Sequence, residues 1–223
     1  MAINMKLLLG FLVLIVVVNS QTPASPVWPN EFWQPFNETM KYTLFNHYTS
    51  GEYYYNWNIK AYRVDRANGR YDRYCGLLGP YEFENTPCSH IVNNGNRFLY
   101  YKEKNHCCFC CNADHGCGML FPGWMTNATY IDQEIHDGVM TYKWNKKGVQ
   151  DNFFYETVNP VPVNRVTVAI YQVPDDDMNF GPRSPTVPPG TLDLPSICSL
   201  NTKCETAACI ALREGKETFS SRI

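Results

Sequence analysis

Residues 106–118 read HCCFCCNADHGCG, with five cysteines and two histidines in thirteen positions. The pairs Cys107/Cys110 and Cys108/Cys111 are two interleaved C-x-x-C motifs. C-x-x-C is a zinc half-site, and His106, His115 and Cys117 could complete the ligand set. Zinc thiolate sites usually carry a second half-site a dozen or more residues away, and the chain has no other C-x-x-C. A thiol-redox centre would place its C-x-x-C between a strand and a helix of a βαβ unit, a pattern this sequence lacks. The remaining reading is a set of covalent staples. Adjacent cysteines seldom bond each other, because their side chains point apart. On an extended segment Cys108 and Cys110 face one side, and Cys107, Cys111 and Cys117 serve others. Such a cluster ties several distant segments to one place.

The N-terminus supports that chemistry. Residues 1–20, MAINMKLLLGFLVLIVVVNS, hold one Lys6, an apolar run over 7–18 and a small Ser20 before a cut. This is the pattern of a secretory signal peptide. The run is shorter than the about 20 residues of a membrane span. The expected location is therefore secreted, or the lumen of the secretory or lysosomal pathway, where disulfides persist. All ten cysteines follow the cut: Cys75, Cys88, Cys107, Cys108, Cys110, Cys111, Cys117, Cys198, Cys204 and Cys209. An even count permits five bridges, with connectivity left open. Sequons at Asn37 and Asn127 are candidate glycosylation sites. A formal charge of −2 without a basic patch speaks against nucleic acid as a partner.

Most of the chain reads as strand. Tyr53, Tyr55, Trp57, Ile59 and Ala61 alternate with Asn56, Asn58 and Lys60, the period of a half-buried antiparallel strand. Asn68-Gly69 predicts a hairpin returning over residues 70–75. Asn94-Gly95, Asp137-Gly138 and Lys147-Gly148 predict three more, and residues 165–173, RVTVAIYQV, form the clearest β run. Helix is expected only over residues 205–213. The predicted fold is mainly β. It is a curved antiparallel meander of seven or more strands, forming a two-layer sandwich or half-barrel, disulfide-stapled, with a short C-terminal helix. The expected organisation is a signal peptide at 1–20, an irregular proline-rich lead-in at 21–40, one β domain at 41–200 and a tail at 201–223.

Several short runs carry a resemblance. They are Thr86-Pro87-Cys88, Phe98-Leu99-Tyr100-Tyr101, Pro122-Gly123-Trp124, Tyr142-Lys143-Trp144, Tyr155-Glu156-Thr157 and residues 193–198, DLPSIC. Together the chain resembles the ependymin-related family, as a divergent cysteine-rich member like those of unicellular eukaryotes. The resemblance implies a curved sheet similar to bacterial lipoprotein carriers around a hydrophobic pocket. It also implies lipid binding, glycosylation, frequent dimerisation and calcium sensitivity. The doubled cysteine cluster departs from the family's pattern.

The sequence carries no hydrolase elbow, zinc-protease helix, P-loop or dinucleotide fingerprint. The expectation is a protein that is not an enzyme. Candidate pocket residues are Tyr53, Tyr55, Trp57, Phe98, Tyr100, Trp144 and Phe154; a plain sandwich core needs the same residue types. Asp175, Asp176 and Asp177 are weak calcium candidates. Three consecutive side chains on a strand cannot all face one ion, so a solvated turn is the blander reading. No other cofactor is expected. The functional expectation is a secreted glycoprotein holding a lipid, fatty acid or other apolar molecule in a β-enclosed pocket. Its alternatives are a structural or adhesion protein without a pocket, and a zinc or thiol-redox protein using residues 107–117.

Overall fold

The computed structural model describes residues 22–41, 46–70, 72–76, 79–147, 151–172 and 176–215. The signal-peptide reading over residues 1–20, Gly148, Asp175 and the last residues of the tail lie outside these. Eleven strands form one antiparallel sheet in the order β6-β5-β4-β3-β2-β1-β11-β10-β9-β8-β7. They are β1 (Glu31–Lys41), β2 (Asn46–Asn56), β3 (Ala61–Arg66), β4 (Cys88–Asn93), β5 (Asn96–Tyr101), β6 (His106–Asn112), β7 (Thr129–His136), β8 (Val139–Lys147), β9 (Asp151–Thr157), β10 (Thr167–Gln172) and β11 (Asp176–Phe180). One helix, α1 (Ala207–Arg213), follows. The chain meanders outward from β1 to β6, crosses to the far edge, and meanders back from β7 to β11 beside β1. This is the open half-barrel form of the predicted architecture.

That order dictates the curvature. β6 and β7 are opposite edges of an eleven-stranded sheet, about 48 Å apart if it were flat. Residues 113–128 must bridge them, and they spend much of their length in turns. The sheet therefore curls, and the crossing segment lies over its inner face. Trp28 N donates to Pro122 O (2.9 Å) and the Tyr55 hydroxyl to Leu120 O (2.9 Å), fixing the segment there. Beneath it lies the main core, which includes Trp28, Phe32, Tyr53, Tyr55, Trp124, Met125, Trp144 and Phe154.

Three local expectations need correction. Residues 31–40 are not irregular lead-in: they belong to β1, next to the centre of the sheet. Its inner face reads Phe32, Gln34, Phe36, Glu38 and Met40, so two polar residues disguise the apolar period. Both find partners inside: the Gln34 amide nitrogen donates to Thr167 O and Gly181 O, and Glu38 clamps Arg66. Pro35 is tolerated because the β1–β11 ladder breaks beside it. Regular pairing starts at Phe36; beyond it Gly181 N to Pro35 O, the Gln34 amide to Gly181 O and the Trp33–Ser184 bridge link β1 to the segment after β11.

The run over residues 53–61 is two strands, not one. Asn56 Oδ1 accepts the amides of Asn58 and Ile59, Lys60 takes a left-handed φ of 54°, and β3 begins at Ala61. Asn68-Gly69 is accordingly not a hairpin, and neither residue 70 nor residues 72–75 form a strand. A Cβ on Gly69 would come within 2.9 Å of the Cβ atoms of Cys75 and Cys88. This glycine serves a close approach at a disulfide rather than a turn. Asn94-Gly95 and Asp137-Gly138 do turn hairpins, with φ of 47°, 76°, 48° and 79°.

All ten cysteines pair: Cys75–Cys88, Cys107–Cys198, Cys108–Cys204, Cys110–Cys209 and Cys111–Cys117. Three bridges staple the C-terminal segment to β6. Cys107 faces the outer side with Phe98 and Phe109, where it meets Cys198 and Leu194. Cys108 faces the inner side and meets Cys204. A bulge opposite Arg97 and Phe98 puts Cys110 and Cys111 in the same inner cluster, where Cys110 meets α1. The segment thus wraps around the β6 edge, adding a parallel bridge between Phe109 and Lys203. With no thiol left free, the zinc and redox alternatives have no thiolate to act through.

Candidate ligand site

Two concavities compete for a ligand. The larger, about 520 Å³, is an open groove on the outer face. Its walls mix polar side chains, among them Asn37, Glu52, Arg63, Asp65 and Lys102, with Pro35, Phe36, Pro87 and Tyr100. The smaller, about 40 Å³, lies between the inner face and the crossing segment. Apolar Tyr53, Tyr62, Val64, Leu120 and Met178 line it together with Arg66, His90 and Arg97. Gly116 and Gly118 complete the wall. The inner cavity is the more enclosed of the two and sets apolar side chains around a few convergent polar groups, the usual form of a small-molecule site, so it is the better candidate despite its size.

Strand phase assembles that cavity. Tyr53 pairs with Val64, Val64 with His90, and Tyr62 with Val92, which in turn pairs with Arg97. Each side chain therefore projects from the inner face. One end of the cavity is a buried charge network. Arg66 Nε and Nη2 donate to Glu38 at 2.6 and 2.8 Å. His90 Nε2 lies 2.9 Å from Asp72 Oδ1, which also accepts the amides of Tyr74 and Cys75 at 2.9 and 2.8 Å. Burial alone would raise the Asp72 pKa; His90, Arg66 and the backbone donors outweigh it and hold the carboxyl well below the usual carboxylate range. Burial lowers the His90 pKa despite Asp72, so a neutral ring donates Nε2–H. Burial and the Glu38 charge push the Asp176 pKa up.

Arg97 stands apart. It is 4% exposed and has no carboxylate within ion-pair distance among the described residues. Its guanidinium lies 4.8 Å from the Tyr74 ring centre, with the Tyr62 side chain also beside it. Its Nε–H has no acceptor among the described residues, nor has Nη1 of Arg66.

The pocket residues expected from sequence divide between the two faces. Tyr53, Tyr55, Trp144 and Phe154 are in the inner core, and only Tyr53 touches the cavity. Trp57 packs on that core from the turn after β2. Phe98 and Tyr100 belong to the outer cluster with Phe109, since Arg97, Leu99 and Tyr101 take the inner phase of β5. Phase would have found Arg97; selection by aromatic type passes it over. Asp176 and Asp177 lie in β11 rather than in a solvated turn, and as successive strand residues they face opposite sides. Asn37 is exposed on β1, and Asn127 adopts a left-handed φ of 66° just before β7. Among the described residues no helix is long and apolar enough to cross a membrane.

The model of a family described as a domain of unknown function, DUF8395, matches residues 81–174, less than half of the chain. No curated protein matches it. Among solved structures, the chain is similar to an uncharacterized conserved protein from Thermus thermophilus, with TM-score 0.46, 9% identity, and coverage of 78% of this chain and 89% of that one. It is also similar to a putative outer membrane lipoprotein-sorting protein domain from Vibrio parahaemolyticus, with TM-score 0.35, 4% identity, and coverage of 70% and 85%. A DUF1329 family protein from Desulfovibrio piger gives TM-score 0.34, 7% identity, and coverage of 69% and 85%. Scores this low fix no ligand and no role.

Proposed function

We propose that the protein is a non-catalytic, secreted or lumenal glycoprotein that binds an apolar ligand, a lipid or fatty acid, between the inner face and the segment over residues 113–128. The observation that carries the reading is the inner cavity, where Tyr53, Tyr62, Val64, Leu120 and Met178 surround buried cationic side chains. Five disulfides support an oxidising compartment. The ependymin-related resemblance points the same way, and glycans at Asn37 and Asn127 belong to the proposal. The cavity of about 40 Å³ holds a head group only, since whole small-molecule sites run to roughly 300 Å³ or more. Binding a chain therefore requires the crossing segment to lift from the core.

The test is native mass spectrometry of the deglycosylated, disulfide-intact protein from a secretory host, then a denaturing run on the same sample. The expected result is an apolar adduct that disappears on denaturation. Absence of an adduct, together with no uptake of added decanoate, contradicts the reading.

A second reading, a structural or adhesion protein working as a homodimer, draws on a different observation. Among the described residues β7 ends the sheet with β8 as its only strand partner, and Ile131, Ile135, Val139 and Met140 of this hairpin are exposed. Exposed apolar edge strands invite pairing with another chain.

A further inference from the structure

We propose that Arg97 anchors the ligand through an anionic oxygen head group, so that the ligand class is an anionic amphiphile: an alkyl carboxylate or an alkyl phosphate. This rests on the binding reading above and deepens it.

The argument is one of unmatched charge. The other buried arginines have carboxylate partners: Arg66 has Glu38 at 2.6 Å, and Arg165 has Glu156 at 2.8 Å. Arg97 is as buried as they are and has none within ion-pair distance among the described residues. Asp72 acts on it through space, yet that carboxylate already serves His90, Arg66 and two backbone amides. The Tyr62 and Tyr74 side chains and the Tyr74 ring solvate part of the guanidinium; the Nε–H stays without an acceptor among the described residues. Burying a cation without a counter-charge is costly, and the cost falls when an anion arrives.

Arg97 also lines the inner-face cavity, with Arg66 and its spare Nη1–H in the same wall. Guanidinium donors suit carboxylate and phosphate oxygens alike. The room available fits such a head. Gly116 and Gly118 leave the roof without side chains, and Leu120 and Met178 offer apolar contact to the first carbons behind the head.

The experiment titrates decanoate, decyl phosphate and decanol separately into the disulfide-intact protein at pH 7.5, following binding by calorimetry. Wild type should bind both anions about tenfold or more tightly than decanol, the worth of one charge-assisted contact. Arg97→Met should lose the preference and bind all three alike. Arg97→Lys should recover part of the preference. A tighter grip on decyl phosphate than on decanoate would assign a phosphate head, and the reverse a carboxylate. Should Arg97→Met not fold, the wild type still decides: decanoate affinity should fall as the acid protonates below about pH 4.5, while decanol affinity stays flat. Equal affinity of wild type for decanoate and decanol would overturn the inference and leave the binding reading standing. No binding of any of the three would overturn both.

Discussion

Asp72 is the residue on which the inner network turns. It accepts His90 and two backbone amides and lies 3.7 Å from Arg66, out of solvent. Its folded pKa lies below that of a solvated aspartate. A depressed carboxyl contributes stability that is present above the unfolded pKa and lost as pH falls through and below it. Asp72→Asn should therefore lower unfolding free energy by about 3 kcal/mol at neutral pH. The gap to wild type should close between roughly pH 4 and pH 2. Urea unfolding of both proteins across that range checks it; a pH-independent gap would show that Asp72 acts through shape alone. Nothing local in the sequence marks Asp72 as buried, because its partners come from β3, β4 and its own turn. Arg97 was more legible: it stands in phase with Leu99 and Tyr101, a charged residue in an apolar period.

At the scale of elements, the two edges of the sheet are treated differently. β6 is capped by the C-terminal segment through Phe109 N to Thr202 O and Cys204 N to Phe109 O, and three disulfides hold the cap. Cys107–Cys198 joins residues 91 apart in sequence. Removing it as Cys107→Ser with Cys198→Ser should cost about 3–5 kcal/mol, read as a lower urea midpoint. Hydrogen exchange should then speed up in β6. Among the described residues β7 has no such cap. If the homodimer reading holds, light scattering should find a mass that rises with concentration, and Ile135→Lys should hold the protein at monomer mass. A wild-type monomer at about 100 μM would leave the edge without a partner of its own kind, since stable dimers persist well below that. Hairpins turned by Asn94-Gly95 and Asp137-Gly138 were readable, because two left-handed residues leave few options. The turn over residues 57–60 was not: it hangs on the Asn56 side chain, and the alternating residues run straight through it. β1 was hidden because long-range partners hold the Gln34 amide nitrogen and the Glu38 carboxylate on its buried face.

For the whole molecule, topology and function are linked through one segment. With β6 and β7 at opposite edges, residues 113–128 must cross the inner face, and they cover the core that a ligand would share. Sequence supplied the mainly-β class and the staple reading of the cysteines. It could not supply the cover, which follows from strand order and not from any local pattern. The crossing segment is tethered by Cys111–Cys117 at one end and by Trp28, Tyr55 and Lys146 along its length. Its Trp124 and Met125 are also buried in the main core, so admitting a chain means withdrawing both side chains. The most direct test is an amide NMR titration of the disulfide-intact protein with decanoate. Saturable shifts centred on Gly116, Gly118, Arg97 and Met178 are predicted. Shifts centred instead on Ser50, Ser89 and Lys102 in the outer groove, or none at millimolar decanoate, would contradict the account.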